Sequence, residues 1–172
     1  VNSPWKRQGA NMDKAFAATD IVEIAIEIEK NGKMFYEEFS KKLKEEKAKE
    51  FFLYASREEA EHEKMFKEIL SSVMKHEPCQ AYDQDYYAYF NAIAEDYIFN
   101  NTEELNERFS SIDSEKDAID FSLSIEKDSI LLYEGMKDIV PDKDKVLIEQ
   151  IISQEKEHVL KFWNLRKDIL KR

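Results

Sequence analysis

The chain has 172 residues and sets 26 Lys and Arg against 37 Asp and Glu, a formal charge of −11; it lacks the basic footprint that nucleic acid or an anionic membrane surface demands of a partner. Its 42% hydrophobic content includes 11 Phe, 8 Tyr and 2 Trp, bulk that suits a packed core and argues against disorder. With 3 Gly and 3 Pro it can form few tight turns, and its single cysteine, Cys79, can build neither an internal disulfide nor a cysteine-rich metal site.

Residues 1–12 read as a loose arm in front of one domain, 13–172. Val1 to Ala10 hold no apolar core of signal-peptide length, and no stretch approaches about 18 uninterrupted apolar residues. A lone cysteine fits a reducing compartment, so a soluble, cytoplasmic protein is expected. From Asp13 to Leu43 the apolar residues Ile21, Ile24, Ala25, Ile28, Phe35, Phe39 and Leu43 recur at three- and four-residue spacings, the pattern of an amphipathic helix. Lys44–Lys47 has room for a turn only. A second helix follows from Ala48 to Lys75, burying Phe52, Ala55, Met65, Phe66, Ile69 and Val73.

The stretch 76–113 is different. An aromatic run (Tyr82, Tyr86, Tyr87, Tyr89, Phe90, Tyr97, Phe99) precedes a short pattern from Leu105 to Phe109 behind Thr102, which reads as one medium and one short helix. A third long helix starts at Ser114, with Asp117 as an acidic variant of the capping box. It runs through Ile119, Leu123, Ile130 and Met136 and stops before Pro141. The fourth, Asp142 to Leu170, presents Ile148, Ile151, Ile152, Val159, Phe162, Leu165 and Ile169. Rods of roughly 40 Å cannot hide an apolar stripe alone. The expected fold is all-α: two helical hairpins packed as a four-helix bundle, joined by a long crossover that contains extra helices.

The two hairpins read as copies of one unit. Ile26-Glu27-Ile28-Glu29-Lys30 with Tyr36 seven residues after Glu29 matches Leu123-Ser124-Ile125-Glu126-Lys127 with Tyr133 seven residues after Glu126. About thirty residues later (a spacing set by the helical hairpin) come Glu59-Ala60-Glu61-His62 and Glu155-Lys156-Glu157-His158. On a helix, positions i and i+3 share a face, so Glu59 with His62, and Glu155 with His158, can each converge on one ion. Apolar neighbours turn these groups inward, and Glu29 and Glu126 interrupt the inward stripes of the first and third helices in the same way. Bare buried carboxylates carry a penalty of several kcal/mol each (an order of magnitude only). Four carboxylates and two neutral imidazoles around two divalent cations balance in charge, which points to a two-metal site. Glu61 and Glu157 fall on the solvated face, and His76, in Lys75-His76-Glu77-Pro78, reads as a structural or surface residue.

These strings, with Asn31-Gly32-Lys33-Met34-Phe35 between Glu29 and Tyr36, resemble rubrerythrin and the wider ferritin-like di-iron carboxylate proteins over nearly the whole chain outside the arm and the crossover. The resemblance implies a ferritin-like bundle with two irons as cofactor, manganese or zinc being possible substitutes. It assigns Glu29, Glu59 and His62 chiefly to one iron and Glu126, Glu155 and His158 to the other, with Glu59 and Glu155 bridging. Tyr36 and Tyr133 resemble inward-facing tyrosines that hydrogen-bond carboxylates across the bundle. The implied activity is reduction of hydrogen peroxide, or of dioxygen, with electrons from an external donor, rubredoxin-like or other; the alternative is a ferroxidase or a non-catalytic iron-binding or storage protein. A homodimer is the expected assembly. Two departures stand out. Rubrerythrin carries a further carboxylate three residues after its third-helix glutamate, where this chain has Ser129, and Asp128 points about 100° away from that face. Rubrerythrin also adds a rubredoxin domain with a four-cysteine iron site, which Cys79 alone cannot supply.

Overall fold

The computed structural model describes residues 18–76, 84–94, 107 and 109–171. Five helices lie within them: α1 (Ala18–Lys42), α2 (Glu46–His76), α3 (Gln84–Ala94), α4 (Glu115–Met136) and α5 (Asp142–Leu170). The four long ones have 25, 31, 22 and 29 residues and form an all-α four-helix bundle, with α3 in the crossover between α2 and α4. Among the described residues no helix is long and apolar enough to cross a membrane. The arm, the stretch from Asp13 to Ala17, Cys79, Tyr82, Tyr97, Phe99, Thr102 and Leu105 lie outside the described residues, as do the side chains of His76, Tyr86 and Tyr87.

Helix ends fall where the sequence signals put them, with local shifts. Ser114 caps α4, its hydroxyl oxygen accepting from the Asp117 backbone N–H at 3.1 Å, which satisfies one of the donors orphaned at a helix start. α4 closes through two tightened turns, Asp138 N–H to Gly135 C=O at 3.3 Å and Ile139 N–H to Met136 C=O at 3.1 Å. α2 begins at Glu46, two residues before the expected Ala48, because the turn needs only residues 43–45.

The inward stripes meet as one core. Met65, Ile130, Val159 and Ile169, expected within it, are half-buried at its margin instead, since a helix packed on two neighbours leaves its flanking positions part-exposed. Cross-helix pairings give the directions. Tyr36 reaches Glu126 and Tyr133 reaches Glu29, so residue numbers rise on α1 as they fall on α4, an antiparallel pair. Phe52 meets Phe162 and Glu58 meets Gln154, which makes α2 and α5 antiparallel as well. The short turns make α1–α2 and α4–α5 antiparallel hairpins. The two hairpins are thus related by an approximate twofold through the middle of the bundle, and the duplicated residues face one another across it.

Candidate metal centre

Each of the four long helices turns carboxylates inward at the same height. Glu29 comes from α1, Glu59 and His62 from α2, Glu126 from α4, and Glu155 and His158 from α5. None of the six exceeds 3% exposure. Above and below them the core is aromatic: the Tyr36 ring stacks on Phe162 at 5.4 Å and meets Phe52 edge-on at 5.6 Å, and Tyr133 packs against Phe66 at 4.7 Å. Such walls exclude water, so the charged groups must be compensated from within.

The six residues form two overlapping groups. Glu29, Glu59, His62 and Glu155 bring one ligand atom each within 4.8 Å of one another, and so do Glu59, Glu126, Glu155 and His158. Glu59 and Glu155 belong to both. His62 Nδ1 lies 2.8 Å from Glu155 Oε1, 3.3 Å from Glu59 Oε2 and 3.6 Å from Glu29 Oε2. His158 Nδ1 lies 3.1 Å from Glu155 Oε2, 3.5 Å from Glu126 Oε1 and 3.8 Å from Glu59 Oε1. Both imidazoles therefore present Nδ1 to three carboxylates. Glu155 Oε1 is the carboxylate oxygen nearest His62 Nδ1, and Glu155 Oε2 pairs with His158 Nδ1, so Glu155 lies between the two imidazoles.

The tyrosines complete the symmetry. Tyr36 on α1 donates to Glu126 Oε1 on α4 at 2.5 Å, and Tyr133 on α4 donates to Glu29 Oε1 on α1 at 2.5 Å. Both rings are fully buried. Burial and the adjoining carboxylates, Glu126 beside Tyr36 and Glu29 beside Tyr133, push both phenols well above their usual range, so they stay protonated as donors.

Electrostatics shows how the metal-free centre tolerates its charge. Burial raises Glu59 far above the usual carboxylate range, helped by the charges of Glu155 and Glu29. Burial and Glu155 push Glu126 up to about 8 even though His158 opposes the rise. Glu155 is the exception: burial works against its charge, but hydrogen bonds from Glu126, His158 and His62 hold it below the usual range. Burial also disfavours charge on the histidines, yet Glu29 and the hydrogen-bonding carboxylates carry His62 far upward, and Glu126 with Glu155 carries His158 to about 10. Two imidazolium ions and shared protons thus balance four carboxylates. Two divalent cations do the same job with the protons gone. Four carboxylates and two imidazole nitrogens, converging in two overlapping groups, fit a pair of transition-metal ions.

A family model described as rubrerythrin matches residues 20–166. The chain belongs to the rubrerythrin family. In fold it is similar to a Thermotoga maritima protein described as ferritin-like and diiron-carboxylate, solved at 2.30 Å: the two share 26% identity with a TM-score of 0.65, over 89% of this chain and 96% of the other. No curated protein matches it at a significant level. Rubrerythrin-family membership and the paired clusters together support a di-metal carboxylate centre in this bundle.

All eight residues singled out in this rubrerythrin-family sequence lie together, Tyr36 and Tyr133 as the hydrogen-bond donors around the other six. Glu61 and Glu157 are exposed. Ser129 is buried, one turn along α4 from Glu126. Sequence reasoning passed over three residues. Gly32 lets α1 run close to Glu59; an added Cβ there would stand 3.6 Å from Glu59 Cγ and 3.7 Å from its Cδ, ordinary contact that an alanine accepts. Gln154 also touches the centre from outside, at His62, and Glu58 lies behind it. Extending the duplicated string by one residue, to Glu58-Glu59 and Gln154-Glu155, would have found them.

Proposed function

We propose that this centre is a di-iron redox site that reduces hydrogen peroxide, with dioxygen as the competing oxidant and an external donor, rubredoxin-like or other, returning the electrons. The sharing of Glu59 and Glu155 between two equivalent groups carries the reading, because it holds two ions side by side instead of one. Glu29 and His62 would complete one position, and Glu126 and His158 the other. Imidazole nitrogen favours iron over magnesium or calcium, and it also admits manganese and zinc. When bound, a ferrous pair supplies the two electrons that turn one peroxide and two protons into two waters.

The protein's own residues set the conditions for that chemistry. Tyr36 and Tyr133 each hold a proton at their hydroxyl and keep one oxygen of Glu126 and Glu29 engaged, which would fix the orientation of each carboxylate at the metal site. Phe52, Phe66 and Phe162 keep bulk water off the site, which suits a small neutral oxidant. A reducing, cytoplasmic setting and a homodimer belong to the same proposal. Ser129 favours a second reading. Where rubrerythrin has a further carboxylate, this chain buries a hydroxyl, and the resulting symmetric six-ligand set suits oxidation of ferrous iron as substrate, in a ferroxidase or iron-storage role.

Anaerobic loading with ferrous iron, followed in the same sample by stopped-flow spectra on adding peroxide and then oxygen, separates these readings. Two irons per chain, lost in Glu59→Ala or Glu155→Ala, and fast oxidation by peroxide are expected. Fast oxidation by oxygen alone would favour the ferroxidase, and two irons that react with neither would leave a binding protein.

A further inference from the structure

Glu58 and Gln154 occupy equivalent places in the two copies of the repeat, each one residue before a shared glutamate, and the same 96-residue offset separates them as separates His62 from His158. They meet on the approximate twofold, where Gln154 Nε2 donates to Glu58 Oε2 at 3.1 Å. A symmetric pair would serve both histidines alike. This one does not. Gln154 Oε1 lies 3.3 Å from His62 Nε2, whereas His158 Nε2, also buried, has no hydrogen-bond partner among the described residues. The His158 ring instead faces the edges of Phe51 and Tyr54, at 6.2 and 6.0 Å between centroids.

The chemistry of the amide makes the difference directional. A carboxylate oxygen accepts, and Gln154 aims its NH2 group at Glu58 Oε2. Gln154 is then left with its carbonyl oxygen toward His62, and a carbonyl can only accept. His62 must therefore carry its hydrogen on Nε2, which keeps the Nδ1 lone pair for a metal. An acceptor behind a ligating imidazole fixes its ring and strengthens it as a ligand. No acceptor among the described residues does this for His158.

We infer that Gln154, oriented by Glu58, is a positioning residue that makes the two metal positions unequal, so that the Glu29–His62 position fills first and more tightly than the Glu126–His158 position. The inference rests on the two-metal reading of the centre. Losing a partner of this kind costs about 10–100-fold in metal affinity, and that is the gap expected between the two positions.

Titrating the metal-free protein with zinc, a redox-silent probe, against a competing chelator tests it. Two binding steps about 10–100-fold apart are expected. Gln154→Leu lowers the first step toward the second while stoichiometry stays at two, and Glu58→Met, which nearly keeps the volume but removes the acceptor that orients Gln154, weakens the same step. His62→Ala abolishes the tight step; His158→Ala spares it. In the zinc-loaded protein, proton NMR should show a slowly exchanging His62 Nε2–H that Gln154→Leu loses, a signature that a purely structural role would not give. Two ions of equal affinity, a first step untouched by Gln154→Leu, or a tight step that survives His62→Ala would overturn the inference while leaving the metal centre intact. Failure to bind any ion would overturn both.

Discussion

Tyr36 and Tyr133 show how one side chain joins the core to the chemistry. Each ring fills aromatic volume while its hydroxyl meets a buried carboxylate on the opposite hairpin at 2.5 Å. A buried acceptor left without its donor costs about 1–3 kcal/mol. Tyr36→Phe keeps the ring and deletes only the donor to Glu126. Denaturant melts of the metal-free variant should show a loss of about 1–3 kcal/mol, with ferrous stoichiometry still two, because Tyr36 is not a ligand. An unchanged midpoint would mean that Glu126 finds another donor. The outward salt bridges stand in contrast. Lys64–Glu61 at 2.6 Å joins two largely exposed side chains, and a pair of that kind contributes about 0–1 kcal/mol.

Each helix has a distinct duty set by the spacing of its inward residues. α2 and α5 carry Glu-x-x-His, where one turn brings a carboxylate and an imidazole side by side. α1 and α4 carry a glutamate and a tyrosine seven residues apart, two turns, so that in an antiparallel pair each tyrosine falls opposite the other's glutamate. The spacing of seven and the antiparallel direction are both required. α3 packs at the far end of α4, where a Cβ on Gly135 would stand 3.1 Å from Phe90 Cζ and 3.2 Å from its Cε1. Phe90 is fully buried and has little room to give. Gly135→Val should therefore displace α3 and lower stability by about 1–3 kcal/mol, the usual cost of overpacking. Calorimetry checks the loss, and metal stoichiometry should stay at two because the centre lies elsewhere in the bundle.

For the whole molecule the two-metal site is also a stability device. Ions that bind only the folded state add about 2.7 kcal/mol per site at a free concentration of 100 times Kd, and for a chain of this size that raises the melting temperature by roughly 5–11 °C. Without metal, the centre depends on protons. Glu126 and His158 bind theirs more tightly in the fold than in the unfolded chain, where their values are near 4.5 and 6.5. Their stabilisation is full below those values and fades as pH rises through about 8 and about 10. Metal-free protein should thus melt at progressively lower temperature from pH 6.5 toward 10, while metal affinity rises over the lower part of that range as competing protons leave. Thermal melts across that range, and zinc titrations near neutral pH, check the two slopes. A metal-free protein that gains stability with pH would show that the histidines are neutral in the fold.

The amino-acid sequence by itself determined the four long helices, their hairpin pairing and the six inward carboxylates and imidazoles, because helical periodicity and the Glu-x-x-His spacing are local properties and the internal repeat displays them twice. Helix starts moved by a residue or two where the turn needed fewer residues than the pattern allowed. Met65, Ile130, Val159 and Ile169 share the periodicity of the core, and only the packing of each helix on its neighbours decided that they stop at its margin. Tertiary structure also decided what crosses the twofold. Tyr36 meets Glu126 rather than its own Glu29, Glu59 and Glu155 enter both groups, and Gln154 reaches His62 while Glu58 does not reach His158. The repeat makes these positions equivalent in sequence. They differ in the fold because a glutamine donates and accepts where a glutamate only accepts, and that difference acts only once the two residues lie against each other across the bundle.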